Sequence, residues 1–414
     1  MAAKNKNAQL YLVAWLIALS FLLRLVSAYF FHDSHIDNEW NILLNNLINY
    51  RTFAYYTFDG HLIPSVYMPP IYPFFLYSIK IITNLENINL VYFIIFIQIA
   101  ISTYSVYLFY QLNQNFFSNK ISLINSFAFS IIPLNIYSSG QISSINLQIF
   151  LSIIFLKFLL LILKKQTQKN ILIFSIVSGL LILTRGEFIL IFILISIFLI
   201  LNKKIKFRNL IIMSSVVFLV ISPYLVRNYI HFNQVILVKS LGYNLWKGNN
   251  ELSSVEGYEN LDKTQFKNLK SEIDNLKKNN YYEIKRDRLF LNAAIDNLSK
   301  DLYLHLQMFI KKLFSFYFID LNSTYPNYYN FFHIFPIIVL SVLSFPGLFL
   351  FFKMDRFQNK CLGLYLFLNL FIFSLFFILP RYKLIILPIQ IILASYFIVY
   401  ILKKLRKNSN LFRS

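Results

Sequence analysis

Residues 8–40 read AQLYLVAWLIALSFLLRLVSAYFF and then HDSHIDNEW. The first part is long enough to cross a bilayer, for which about 20 apolar residues suffice. The second sets three carboxylates and two imidazoles, from His32, Asp33, His35, Asp37 and Glu39, directly behind that run. Only 14% of the chain is charged, so acids crowded where it leaves the apolar layer point to a functional site. Lys4 and Lys6 before the run and Val26-Ser27-Ala28 near its end also fit a cleavable secretory leader. The run exceeds the roughly 7–15 apolar residues of such a leader and carries Arg24. A retained first helix is therefore expected, with its N-terminus on the inner side.

Composition supports this reading. The chain has 414 residues, 57% of them hydrophobic, including 45 Phe and 28 Tyr. With a mean hydropathy of +0.57 it belongs among polytopic membrane proteins. The formal net charge of +21 sits in short clusters between apolar runs: Lys164-Lys165, Lys203–Arg208, Lys353–Lys360 and Lys403–Lys407. Such clusters mark inner loops, so the charge reports topology and no nucleic-acid partner is expected. The single cysteine, Cys361, excludes an internal disulfide framework. The chain has nine Gly and lacks a phosphate-binding glycine loop, a dinucleotide fingerprint and a paired-cysteine metal site. Any donor substrate must then be reachable from the membrane, which points to a lipid-linked one.

Further apolar segments fall at about 69–83, 90–112, 121–138, 142–163, 171–184, 187–201, 209–227, 333–352, 362–379 and 384–402. Backbone groups in hydrocarbon must be satisfied within a segment, so helices are expected throughout. Placing every basic cluster inside requires one of the eleven segments not to cross, leaving about ten crossings. Pro133 and Ser138-Ser139-Gly140-Gln141 interrupt the chain between 121 and 163, and the non-crossing segment is expected there. Residues 31–66 and 228–330 then both lie outside. The chain divides into an N-terminal membrane part (1–227), a large outer loop (228–330) and C-terminal membrane helices (331–414). Helical periodicity in 265–278 and 281–318 predicts helices lying on the membrane surface rather than a domain with its own core.

Four motifs carry a resemblance. They are the acids after the first helix with Met68-Pro69-Pro70-Ile71-Tyr72-Pro73, then Gly179-Leu180-Leu181-Ile182-Leu183-Thr184-Arg185, then Asn244-Leu245-Trp246-Lys247-Gly248-Asn249-Asn250, and finally Pro380-Arg381-Tyr382-Lys383-Leu384 with Pro388. In order and spacing the chain resembles the family C (GT-C fold) glycosyltransferases, on the branch of the protein O-mannosyltransferases and aminoarabinose lipid A transferases. It departs from the branch at Gly186, where proline is usual, and at 143–147, where an acid is frequent.

The resemblance implies an all-α GT-C-like bundle of about 10–11 transmembrane helices with outer-face loop helices. It further implies a glycosyltransferase taking a sugar from a polyprenyl-phosphate-linked donor to a hydroxyl or amine of a glycan, lipid or protein acceptor. The expected setting is a bacterial inner (plasma) membrane with the site on the periplasmic face, among membrane lipids. A lipid-linked glycan transporter or flippase, or an O-antigen-type polymerase or ligase, are the alternatives. Asp37 is the expected base, with Asp33 its rival and Glu39 orienting the base or a metal. If the loop is helical, Asp33 and Asp37 share a face and one pKa rises. No cofactor is certain; a divalent metal is possible, with His32 and His35 as either ligands or ordinary interfacial histidines. Arg24, Arg185, Arg381 and Lys383 are expected to bind the donor phosphate. Against that, Arg24 can snorkel, Arg185 can anchor a hairpin, and Arg227 can simply mark the boundary. His61, Tyr72, Asn249 and Asn250 are expected in the substrate pocket, with Tyr55-Tyr56 near it.

Overall fold

The computed structural model describes residues 2–409 and shows an integral multi-pass membrane protein built almost wholly of helices. Helix α1 (Ala2–Phe31) carries the opening apolar run. After it come α2 (Asn38–Tyr50), strands β1 (Ala54–Phe58) and β2 (His61–Pro64), and α3 (Ile71–Thr83). The strands form an antiparallel hairpin turning at Asp59 (φ 48°) and Gly60 (φ 80°), the positive-φ pair that a tight hairpin turn requires.

The next helices run to and fro: α4 (Asn87–Asn113), α5 (Asn119–Ile131) with α6 (Pro133–Ser138), α7 (Ile145–Lys164), α8 (Gln168–Thr184), α9 (Phe188–Leu201) and α10 (Phe207–Phe232). Side chains identify one end of this bundle. Asn119 Nδ2 donates to Gln9 Oε1 at 2.9 Å, Lys164 Nζ to Asn115 Oδ1 at 2.7 Å, and Gln166 Nε2 to Lys204 O at 2.8 Å. This is the basic end. At the opposite end the Asp33 N–H donates to Gly140 O at 3.1 Å, and the His32 ring packs 5.2 Å from Tyr92. Helices α15 (Phe331–Lys353), α16 (Phe357–Ser374) and α17 (Lys383–Ser409) complete the bundle around a continuous apolar core.

The segment that fails to cross is α3, which corrects the expectation for 121–163. Its 13 residues cover about 20 Å, short of a hydrocarbon layer of about 30 Å. Tyr72 Oη donates to Gln98 Oε1 at 2.9 Å, and Lys80 pairs with Glu86 at 3.2 Å. So α3 folds back along the first part of α4 and both its ends stay away from the basic end. The Pro133 break is instead repaired in place, and α5 and α6 both pack along α1. Pro133 has no N–H for Phe129 O, which accepts from Asn135 Nδ2 at 2.8 Å. Ser130 O accepts from Arg24 Nη1 at 3.3 Å. Accessibility labelling tests this topology. A cysteine at Asn84 is expected to react from the same membrane face as one at Lys270, and one at Lys403 from the other. Reaction of the Asn84 variant from the Lys403 face would mean that α3 crosses.

The large loop holds α11 (Leu241–Asn249), α12 (Lys267–Asp274), α13 (Tyr282–Lys300) and α14 (Leu302–Tyr317). Contrary to expectation it has a small core of its own, formed by Trp246, Phe266, Ile273, Phe290 and Ala294. A Cβ at Gly242 would stand 2.0 Å from Asp287 O, so glycine is what lets α11 close onto α13.

Candidate active site

The end of the bundle opposite the basic end holds an open cavity of about 1930 Å³. Its floor is recessed for a simple reason. Helices α8 and α9 have 17 and 14 residues, about 26 and 21 Å, against 27 and 26 residues in α4 and α10, and are tied at the basic end, so the Arg185–Glu187 turn sits lower than the ends of those longer helices.

The acids Asp33, Asp37 and Glu39 all line the cavity. Residues 32–37 are not helical, so the shared helical face expected for Asp33 and Asp37 does not form. The loop is instead pinned to 138–143, where Asp33 Oδ2 accepts the Ile142 N–H at 2.7 Å and Gln141 Nε2 donates to Phe31 O at 2.7 Å. Burial pushes the Asp33 carboxyl up, the Ile142 N–H opposes, and the charge of Asp37 adds a smaller upward push. Asp37 is freer. Its side chain is 60% exposed and its Oδ1 lies 2.8 Å from His35 Nε2. It stands at the N-cap of α2 yet makes no capping bond, which leaves its second oxygen to the cavity. His32 is turned back, with Nδ1 2.8 Å from Ala28 O. Among the described residues no three His, Cys, Asp or Glu side chains gather to hold a metal ion.

Cations line the same cavity. Arg185 lies between two rings, its guanidinium carbon 4.6 Å from the centroids of both Phe373 and Tyr382, with Nη2 3.7 Å from Glu187 Oε1. Arg381, in a 3-10 turn at Pro380–Tyr382, lines the cavity with an exposed side chain. Lys247 lines it too, ion-paired with Glu259 and 4.8 Å from the Phe377 ring.

The structure does not bring the other expected cations to this cavity. Arg24 is fully buried; Nε donates to Ser102 Oγ at 2.8 Å and Nη1 to Ser20 Oγ at 2.7 Å, besides its bond to the α5 break. It neither snorkels nor lines the cavity. Lys383 Nζ caps the end of α14, donating to the carbonyls of Phe316 and Phe318 at 3.2 and 3.0 Å and to that of Tyr317. Arg227 donates to Ser65 O at 2.6 Å and Phe53 O at 2.9 Å, fixing the segments that flank the hairpin.

Of the expected pocket residues, Tyr72 lines the cavity, with Trp40 edge-on at 4.9 Å. Tyr55 and Tyr56 line it as well. His61 is exposed on β2, outside the lining. Asn249 and Asn250 are buried behind it. Asn249 Nδ2 donates to Leu245 O and Leu375 O, both at 2.8 Å, and Asn250 Nδ2 to Tyr258 O at 2.8 Å. A Cβ at Gly248 would fall 1.9 Å from Phe376 O. The Gly-Asn motif thus docks α11 against the end of α16. Lys312 Nζ completes this junction at 2.7 Å from Gly248 O, and burial lowers its pKa to about 7. Sequence reasoning missed Arg286 and Glu187, which both line the cavity.

The two groups suit different work. Carboxylates can take a proton, and arginines match the oxygens of a phosphate. Tyrosine and tryptophan rings in the same lining offer faces for a sugar.

No protein-family model matches the chain, and no curated protein matches it in sequence. Its fold is similar to that of the archaeal oligosaccharyltransferase AglB from Archaeoglobus fulgidus in complex with an inhibitory peptide and a dolichol-phosphate. The TM-score is 0.59 at 15% identity, covering 98% of this chain and 52% of that one. The Archaeoglobus fulgidus oligosaccharyltransferase tethered with an acceptor peptide containing the NVT sequon gives 0.61 at 15% identity, covering 99% and 51%. The chain thus spans about half the length of these proteins. ArnT from Cupriavidus metallidurans bound to undecaprenyl phosphate gives 0.45 at 10% identity, covering 92% and 77%. The similarity to the oligosaccharyltransferase shows the fold, the GT-C-like bundle that the four motifs implied.

Proposed function

We propose that this protein is a membrane glycosyltransferase moving a sugar from a polyprenyl-phosphate carrier to an acceptor hydroxyl or amine on the face opposite its basic loops. One observation supports the reading: a single cavity is lined by Asp37 together with Arg185 and Arg381. The oligosaccharyltransferase of like fold is described with a dolichol-phosphate, a ligand of the same chemical class as the proposed carrier.

The reaction balances as a displacement. The acceptor oxygen or nitrogen forms a bond to the anomeric carbon while its proton passes to Asp37. The bond from that carbon to the phosphate oxygen breaks, and the carrier phosphate leaves with the electron pair. His35 holds the other oxygen of Asp37 and stabilises the carboxylate's orientation. Arg185, kept flat between two rings, meets the charge developing on the phosphate. Asp33 keeps the acid loop in place. The positive-inside tendency puts the basic end in the cytoplasm, hence the cavity on the outer face. Incubating the purified protein with defined polyprenyl-phosphate sugars and mixed acceptors should yield glycosylated acceptor and free lipid phosphate. Intact donor across the whole panel would count against the reading.

A further inference from the structure

Arg286 lies in a charged run of α13 that the sequence presents as a solvated helix face, yet its side chain lines the cavity. Its Nη1 donates to Tyr56 Oη at 2.9 Å. Its guanidinium carbon stands 5.9 Å from the Tyr56 ring, 5.5 Å from Tyr243 and 5.1 Å from Phe290, so three rings hold it.

The acids that neighbour it on α13 are engaged elsewhere. Glu283 Oε2 accepts from Val66 N at 2.6 Å, Tyr67 N at 2.8 Å and Ser65 Oγ at 3.1 Å. Asp287 Oδ1 accepts from Tyr243 N at 3.0 Å. Among the described residues no carboxylate is ion-paired with Arg286. A cation seated on aromatic rings, open to a cavity and without an ion-pair partner among the described residues, can take an anion.

Its ring partners differ from those of Arg185. Arg286 acts on Tyr55 and Tyr67 together with Glu39, whereas Arg185 belongs to Phe373 and Tyr382. It therefore stands on the acid side, where an acceptor is activated. The aromatic rings near it that line the cavity are tyrosines, Tyr56, Tyr67 and Tyr243, and tyrosine faces stack on the C–H face of a pyranose. Burial pushes Tyr56 up to about 12, so its hydroxyl stays protonated and free to donate.

We propose that Arg286, with Tyr56, Tyr67 and Tyr243, forms a saccharide subsite that selects an acidic sugar. The sugar's carboxylate or phosphate ester pairs with the guanidinium while its ring lies on the tyrosines. The proposal rests on the reading that the cavity handles sugars, and it deepens that reading by naming the class of saccharide on the acid side.

The test is a binding measurement that needs no turnover. The full chain in lipid nanodiscs is titrated with methyl glucuronide, glucose 6-phosphate and methyl glucoside. At least one acidic sugar should bind roughly tenfold tighter than the neutral one, since a hydrogen bond to a charged group is worth about that much. Comparing the two acidic probes tells carboxylate from phosphate ester. Arg286→Gln should level the three affinities, and Arg286→Lys, which keeps the charge, should restore part of the difference. Arg381→Gln should leave the preference in place, and so should Asp37→Asn. Equal binding of all three by the native protein, no binding by any, or a preference that survives Arg286→Gln overturns the proposal. A preference lost equally with Arg381→Gln also overturns it, because the anion would then sit at Arg381. Failure of the transfer mechanism looks different: Asp37→Asn would transfer normally while selection for acidic sugars remained.

Discussion

Replacing Asp37 by Asn is expected to lower sugar transfer by about 10²–10⁴-fold, the usual contribution of a positioned base. Protein level, extraction from the membrane and thermal stability should stay at native values. The fold gives no reason for them to change: the Asp37 side chain makes no capping bond, is 60% exposed, and asparagine has nearly its shape. What disappears is the proton acceptor. The control is Asp33→Ala, which removes the bond from the Ile142 N–H and leaves the acid loop held to 138–143 only by the Asp33 N–H on Gly140 O and by Gln141 Nε2 on Phe31 O. That variant should lose activity and thermal stability together. Asp33→Asn keeps an acceptor oxygen for Ile142 and should lose much less. Full loss with Asp33→Asn and near-normal transfer with Asp37→Asn would move the base to Asp33.

The second large effect is expected at Arg185. Its Gln variant should lower kcat by roughly 10²–10³-fold, the scale seen when one group facing developing charge is removed. Donor KM should change little, because the interaction strengthens only as the phosphate leaves. Arg185→Lys should not rescue the rate. Lysine keeps the charge but loses the flat fork that fits between Phe373 and Tyr382. Arg381 is exposed in the cavity, and its Gln variant should mainly raise donor KM. The reverse pattern, a KM effect at Arg185 and a kcat effect at Arg381, would exchange the two roles.

Much of this arrangement was legible because membrane insertion writes itself into sequence. Apolar runs gave the helices, and the basic clusters gathered at one end of the bundle. Acids behind the first helix, Arg185 and Arg381 stood out because charge is costly in such places. What failed to show was geometry that reads the same from either side of a contact. Helix α3 is as apolar as a spanning helix, and only its pairing with the first part of α4 reveals that it folds back. Arg24 and Lys383 are as anomalous in sequence as Arg185. Arg24 is held by the hydroxyls of Ser20 and Ser102 and a carbonyl released at the proline break, and Lys383 by carbonyls at a helix end, which no residue pattern displays. Arg286 was hidden by the opposite effect, since a charged amphipathic helix makes every arginine look solvated. The Asp59-Gly60 turn, by contrast, was readable from the pair itself and was overlooked among the aromatic residues around it.

We infer that this protein breaks the bond between a sugar and its lipid phosphate rather than carrying the intact lipid across the membrane. The most direct measurement places the purified protein in sealed vesicles with a labelled polyprenyl-phosphate sugar and an acceptor. It follows both the free lipid phosphate and the side of the membrane on which intact donor is found. The account predicts lipid phosphate released in step with glycosylated acceptor, at a rate that collapses with Asp37→Asn. Intact donor crossing the bilayer with no bond broken, equally in the native protein and in Asp37→Asn, would contradict it.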